Sequence, residues 1–216
     1  MKMISRGAIA LLMILVSAPV IHGQDLSKYR NFSFGMSLAD ISEQIDEKPT
    51  DVTLVHARPE LIQELTWWPP LVLGTPRAEP VREIFFSFYN GQLYRISVTY
   101  DRYVTEGLTA EDMVQTMSAK YGTATGPTAE MNFPTSETYG TTEKVIVRWE
   151  DSQYSFNLFQ SYISNTFGLV MFTKGVNAQA EAAITEALKL EQQGASQKEA
   201  HDLETARQKN AKAFRP

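Results

Sequence analysis

Apolar and polar residues alternate with a period of two from Glu83 to Asp101, and the dipeptide Asn90-Gly91 divides that stretch. A two-residue hairpin turn needs positive φ at both positions, which Asn and Gly tolerate. The pattern therefore predicts a β-hairpin. In its second strand Tyr94, Ile96, Val98 and Tyr100 share one face, and Ile84, Phe86 and Phe88 of the first strand join them on the expected core side. Arg95, Ser97, Thr99 and Asp101 share the other side, which predicts a sheet with one face in water.

A second strand group follows. Lys144–Trp149 alternates with Val145, Val147 and Trp149 inward, and Tyr154, Phe156 and Leu158 repeat the pattern in the next run. Thr166–Phe172 is apolar on both faces and reads as a more central strand. Asp51–Arg58 is a weaker strand candidate. Two helices punctuate the strands. Ser37–Ile45 and Thr109–Tyr121 each open on a hydroxyl residue with an acid three positions later, the signature of a capping box. The second stops at Gly122, a natural C-cap, and buries Met113, Met117 and Tyr121 at a spacing of four. From Val176 the chain reads helical, with Ala180, Ile184, Ala187 and Leu188 as a narrow apolar stripe. Gly194 and Ser196 are expected to break that run before a second helix over Ser196–Lys212.

The two helix starts align beyond their caps. Gly35-Met-Ser-Leu-Ala-Asp-Ile41 matches Gly107-Leu-Thr-Ala-Glu-Asp-Met113 at an offset of 72 residues, and Ile45 then matches Met117. Each copy is followed by about three strands. A degenerate duplication and two independently well-capped amphipathic helices both account for this. The Gly-Met-Ser-x-x-Asp-Ile start resembles a helix signature of small bacterial envelope proteins, the SmpA/OmlA-like outer-membrane assembly factors and the β-lactamase-inhibitor-protein-like modules. The resemblance implies a helical hairpin on a short antiparallel sheet and a protein-binding role. The assembly factors carry a lipid-bearing cysteine that this chain lacks.

The amino terminus adds a compartment. Lys2 and Arg6 precede an apolar run, Gly7–Val16, followed by Ser17, Ala18 and Pro19. This is the pattern of a secretory signal peptide cleaved near Gly23. The run is shorter than the roughly 20 residues a spanning helix needs. The expected product is a soluble periplasmic or secreted protein. Its organisation reads as a signal peptide (1–23), a first α+β subdomain (24–102), a second α+β subdomain (103–175) and a charged helical tail (176–216). Without the leader, 18 basic residues face 25 acidic ones, a net charge of −7. That balance argues against a nucleic-acid partner and against anionic membrane surfaces. The chain has no cysteine, so its core folds without disulfides.

Candidate chemistry is sparse. Of the three histidines, His56 alone falls in the globular part, and it reads as a partly buried strand residue. There is no Gly-x-Ser-x-Gly elbow, no His-Glu-x-x-His, no calcium loop, no dinucleotide fingerprint and no P-loop. No metal or cofactor is expected. Two adjacent acidic pairs, Glu111-Asp112 and Glu150-Asp151, leave carboxylate chemistry open. Asp112 also reads as a helix-start acceptor and Asp151 as a turn residue.

The most unusual segment is Thr66–Pro76, where Trp67, Trp68, Pro69 and Pro70 are expected to lie in a loop. The indoles either cover an open end of the core or form a contact site for a protein or ligand. The tail likewise reads as a solvated helix or as a partner-binding arm. The whole pattern predicts an α+β protein, antiparallel sheet with helices on one face. The expected function is an exported, non-enzymatic envelope protein that binds another envelope protein or a small ligand. The alternative is a carboxylate-dependent hydrolase of envelope polysaccharide.

Overall fold

A computed structural model describes residues 25–70, 80–126, 132–138, 142–161 and 164–213. The leader pattern of residues 1–23 and most of the loop after Pro70 lie outside the described residues. The architecture is α+β. A small hairpin, β1 (Lys28–Tyr29) and β2 (Phe32–Ser33), precedes helix α1 (Leu38–Gln44). Strands β3 (Thr53–His56), β4 (Ile62–Trp67), β5 (Val81–Tyr89) and β6 (Gln92–Tyr100) follow. A short helix α2 (Arg102–Thr105) and helix α3 (Ala110–Tyr121) lead into β7 (Asn132–Pro134), β8 (Thr142–Glu150), β9 (Tyr154–Gln160) and β10 (Phe167–Thr173). The long helix α4 (Lys174–Ala213) ends the described chain.

Strands β3 to β10 form one eight-stranded antiparallel sheet in the order β3-β4-β5-β6-β10-β9-β8-β7. Each half is a four-strand meander, and the halves meet where β6 pairs with β10. A capped helix precedes each meander. Ser37 caps α1 and Thr109 caps α3, each in a reciprocal box with an acid at the third helical position, Asp40 and Asp112. Two residues before each cap sits a glycine with positive φ, Gly35 at 86° and Gly107 at 81°. The 72-residue offset thus joins positions of like backbone geometry. Both halves contribute to one hydrophobic core: Ile41 and Ile45 of α1 and Met113, Met117 and Tyr121 of α3 pack on Phe86, Ile96, Leu158 and Met171 of the sheet.

The Asn90-Gly91 turn forms as its chemistry demands, with φ of 50° and 78°. Beyond it, the sheet departs from simple alternation. In the β5–β6 ladder Ser87 faces Arg95 while Phe88 faces Leu93, so Tyr94 is the extra residue of a β-bulge. The bulge turns Tyr94 away from the main core and onto the opposite face, where it meets Ile62 and Ala180. That face was expected to be wet. Instead Arg95 and Ser97 are buried there, because α4 lies across it. Asp101, at the strand's end, is also buried, and its carboxylate accepts from the Tyr103 N–H to cap α2.

The opening turns of the tail therefore differ from the solvated helix expected, while the described residues from Leu188 onward are exposed. Helices α1 and α3 cover one face of the sheet, and the first turns of α4 cover the other. Small side chains at Ala180, Ala183 and Ala187 let the helix backbone approach closely. Nor does Gly194 break the helix, which runs through it without interruption. A single glycine costs about 1 kcal/mol in a helix interior, too little to end a run of good formers. Past Ala187 every described α4 side chain is exposed, and the helix continues about 22 residues beyond the contact of Glu191 with His56, about 33 Å at 1.5 Å per residue.

Candidate functional site

Strand β4 is the element the sequence concealed. Trp67 lies at its end, in register with Ile84, rather than in a loop. Its ring is half-buried and meets Phe32 edge-on, with centroids 6.4 Å apart. Trp68 is 58% exposed, and its indole N–H donates to Glu83 Oε1 at 2.7 Å. Pro69 is buried and Pro70 exposed. The four residues thus divide between core and surface, and Trp68 is the one that presents an aromatic face to solvent.

The expected carboxylate pairs have structural partners. Asp112 accepts from the Thr109 backbone N–H and hydroxyl, and those bonds hold its carboxyl below the usual range. Glu111 is exposed on the same helical turn. Glu150 is held low chiefly by the Lys174 ammonium at 2.7 Å, with Arg148 at 3.3 Å adding to the pull. Asp151 Oδ1 accepts from the Gln153 and Tyr154 N–H groups at 2.7 Å each, closing the β8–β9 turn. Carboxyls held low, as those of Asp112 and Glu150 are, do not serve as proton donors. His56, on β3, places Nδ1 3.1 Å from Glu191 Oε1 and tethers α4 to the sheet edge.

Three features emerge only in three dimensions. The first is a buried polar clasp. Arg95 donates from Nε and Nη2 to Asn177 Oδ1, at 3.1 and 2.7 Å, and pairs with Glu137. Asn177 in turn donates to Glu181 Oε1 at 2.7 Å. Beside it, the buried Glu64 carboxylate accepts from the Ser136 hydroxyl at 2.5 Å and the Glu137 N–H at 2.8 Å. The clasp binds β4, β6, the segment after β7 and α4 into one unit. Burial pushes the Glu137 carboxyl up, outweighing the pull of Arg95.

The second feature is a polar cavity of about 280 Å³. Glu83, Glu143, Arg82, Thr99, Ser161 and Thr166 are among its lining residues. Burial raises the Glu83 carboxyl, against the opposing hydrogen bond from Trp68. It shares this cavity with a second carboxylate, Glu143.

The third is an apolar groove of about 350 Å³ at the end of the main core, bounded by β1, the end of β6, α2 and α3. Tyr29, Tyr100 and Tyr121 form its floor beside Met113 and Met117, and Val104 and Leu108 form an exposed lip. Burial drives the Tyr100 hydroxyl well above its ordinary range, with Tyr29 hydrogen-bonded to it, and lifts that of Tyr121 to about 12. The Tyr100 and Tyr121 phenols therefore stay neutral. Two cations stand over tyrosine rings at the groove: Arg30 Cζ lies 5.3 Å from the Tyr29 centroid and Lys120 Nζ 5.1 Å from that of Tyr121. No acidic side chain is among the described residues that line it. Sequence reasoning marked Met113, Met117 and Tyr121 as a buried stripe, but not that the stripe continues into an open groove.

Among the described residues there is no cluster of three or more metal-ligating side chains, and no helix is long and apolar enough to cross a membrane. No family model matches the chain, and neither the curated proteins nor the solved structures contain a match to it.

Proposed function

We propose that this is an exported, non-enzymatic envelope protein that works by binding, and that its binding site is the groove beneath α3. The observation that carries the reading is the groove itself. Its size falls in the usual range for ligand sites, its wall is mostly apolar, and a few polar groups converge on it. The leader pattern supports export, and the Gly-Met-Ser helix start resembles that of envelope binding modules. An environment-sensitive apolar fluorophore tests the site. The full chain is expected to take one equivalent saturably, and Leu108→Glu and Val104→Glu, at exposed lip positions, are expected to abolish uptake without changing the far-UV spectrum. Binding indifferent to both substitutions overturns the assignment.

A second reading, a carboxylate-dependent hydrolase of envelope polysaccharide, gains support from Glu83 and not from the acidic pairs first considered. A carboxyl raised by burial, facing a cavity it shares with Glu143 and next to an exposed indole, suits a proton donor to a glycosidic oxygen. Turnover of an envelope glycan that disappears in Glu83→Gln would favour this reading. No turnover by the parent protein removes it.

A further inference from the structure

We infer that the groove takes a single-chain amphiphile with an anionic head, of which a fatty acid is the simplest, as a free monomer; this rests on the binding reading above. Three observations point to that chemistry. The wall is built mainly from tyrosine, methionine, valine and leucine side chains, with Pro80, Thr105 and Thr116 among them, a mostly apolar surface that matches an alkyl chain. Among the described residues the charged ones lining the groove are Arg30 and Lys120, both basic, although the chain as a whole is acidic with net charge −5. A basic site on an acidic protein is a local field arranged for an anion. Finally, both cations sit against tyrosine rings at the groove, the positions a head group would occupy when the tail lies along the floor.

The net negative charge also selects the source of the ligand. An anionic bilayer repels the whole chain, whereas one anionic head near two cations feels mainly the local pair. The groove therefore suits a dissolved monomer better than a lipid held in a membrane.

The experiment is displacement of the bound apolar fluorophore by alkyl carboxylates of eight to fourteen carbons, below their micellar concentrations. Affinity is expected to rise about fourfold per added methylene, the worth of one buried CH₂. Dodecanoate is expected to outcompete dodecanol and dodecyltrimethylammonium. In Lys120→Glu, on an exposed helical position, the advantage of dodecanoate over dodecanol is expected to shrink about three- to tenfold. Raising the salt concentration should reduce the same advantage. Equal binding of the cationic and anionic homologues, no dependence on chain length, or binding to anionic vesicles without binding to monomers each overturns the inference. If one of these overturning results is found while the fluorophore still binds and the lip variants still abolish it, the ligand class is wrong and the binding reading stands. If the fluorophore does not bind at all, both fall.

Discussion

Replacing Arg95 by methionine keeps an unbranched apolar stem on β6 and removes the guanidinium. The side chain is 1% exposed, makes two hydrogen bonds to Asn177 Oδ1, and pairs with Glu137, whose own side chain is 11% exposed. Without the guanidinium, Glu137 becomes a buried carboxylate with no close counter-charge. Removing one member of a buried pair costs about 3–5 kcal/mol. For a chain of this length that corresponds to a fall of roughly 6–20 °C in Tm. The loss also carries a pH signature. Burial already holds the Glu137 carboxyl above 4.5, and losing Arg95 raises it further. Below that ordinary value the carboxyl is neutral in the folded and unfolded chains alike. The cost then reduces to the orphaned Asn177 oxygen and its lost bonds, about 1–3 kcal/mol. In the parent protein the sign is the same: a raised folded value means that this group's favourable contribution is complete below 4.5 and is lost as pH rises through the folded value. Urea unfolding followed by tryptophan fluorescence, at pH 7 and at an acidic pH below 4.5, measures both effects. The double variant Arg95→Met/Glu137→Gln is expected to recover a large part of the loss at pH 7. A cost under about 1 kcal/mol at pH 7, or one equal at both pH values, refutes the account of the clasp.

Three further outcomes are expected. Gly168→Ala places a Cβ 2.5 Å from the Val98 carbonyl oxygen and against the Phe159 ring; it should lower stability by about 1–3 kcal/mol in urea unfolding, and an unchanged midpoint would contradict the tight β6–β10 pairing. Thr109→Ala removes the hydroxyl that accepts from the Asp112 N–H at 3.2 Å, with an expected cost of about 1 kcal/mol; the Asp112 carboxyl, titrated by NMR, should move up toward its ordinary value. Truncation after Gly194 removes exposed helix and leaves the clasp and the His56–Glu191 contact in place. The free energy of urea unfolding should hold within about 0.5 kcal/mol while helical ellipticity falls, and a lower stability would mean that the projecting helix supports the body.

Local chemistry was enough to place the elements whose signals act over a few residues. Asn90-Gly91 dictates a tight hairpin through its φ values, Ser37 and Thr109 dictate helix starts through side-chain acceptors, and Gly122 dictates a stop. Period-two alternation put Ile84, Phe86, Ile96 and Val98 in the core, because strand geometry enforces it without reference to distant residues. The tertiary structure decided everything that depends on a second surface. Whether Arg95 faces water depends on a helix 82 residues away and a carboxylate 42 residues away, and no local pattern encodes either partner. A polar residue in a strand reads as exposed until its counter-charge is located. The bulge at Tyr94 shifted a face by one residue, which periodicity cannot anticipate. Strand β4 was hidden because Glu64 points to the buried clasp, giving an inward position a polar residue. The groove was least legible of all. Its wall joins residues from positions 29 to 121, and a cavity is a property of the space between elements, fixed only when they pack.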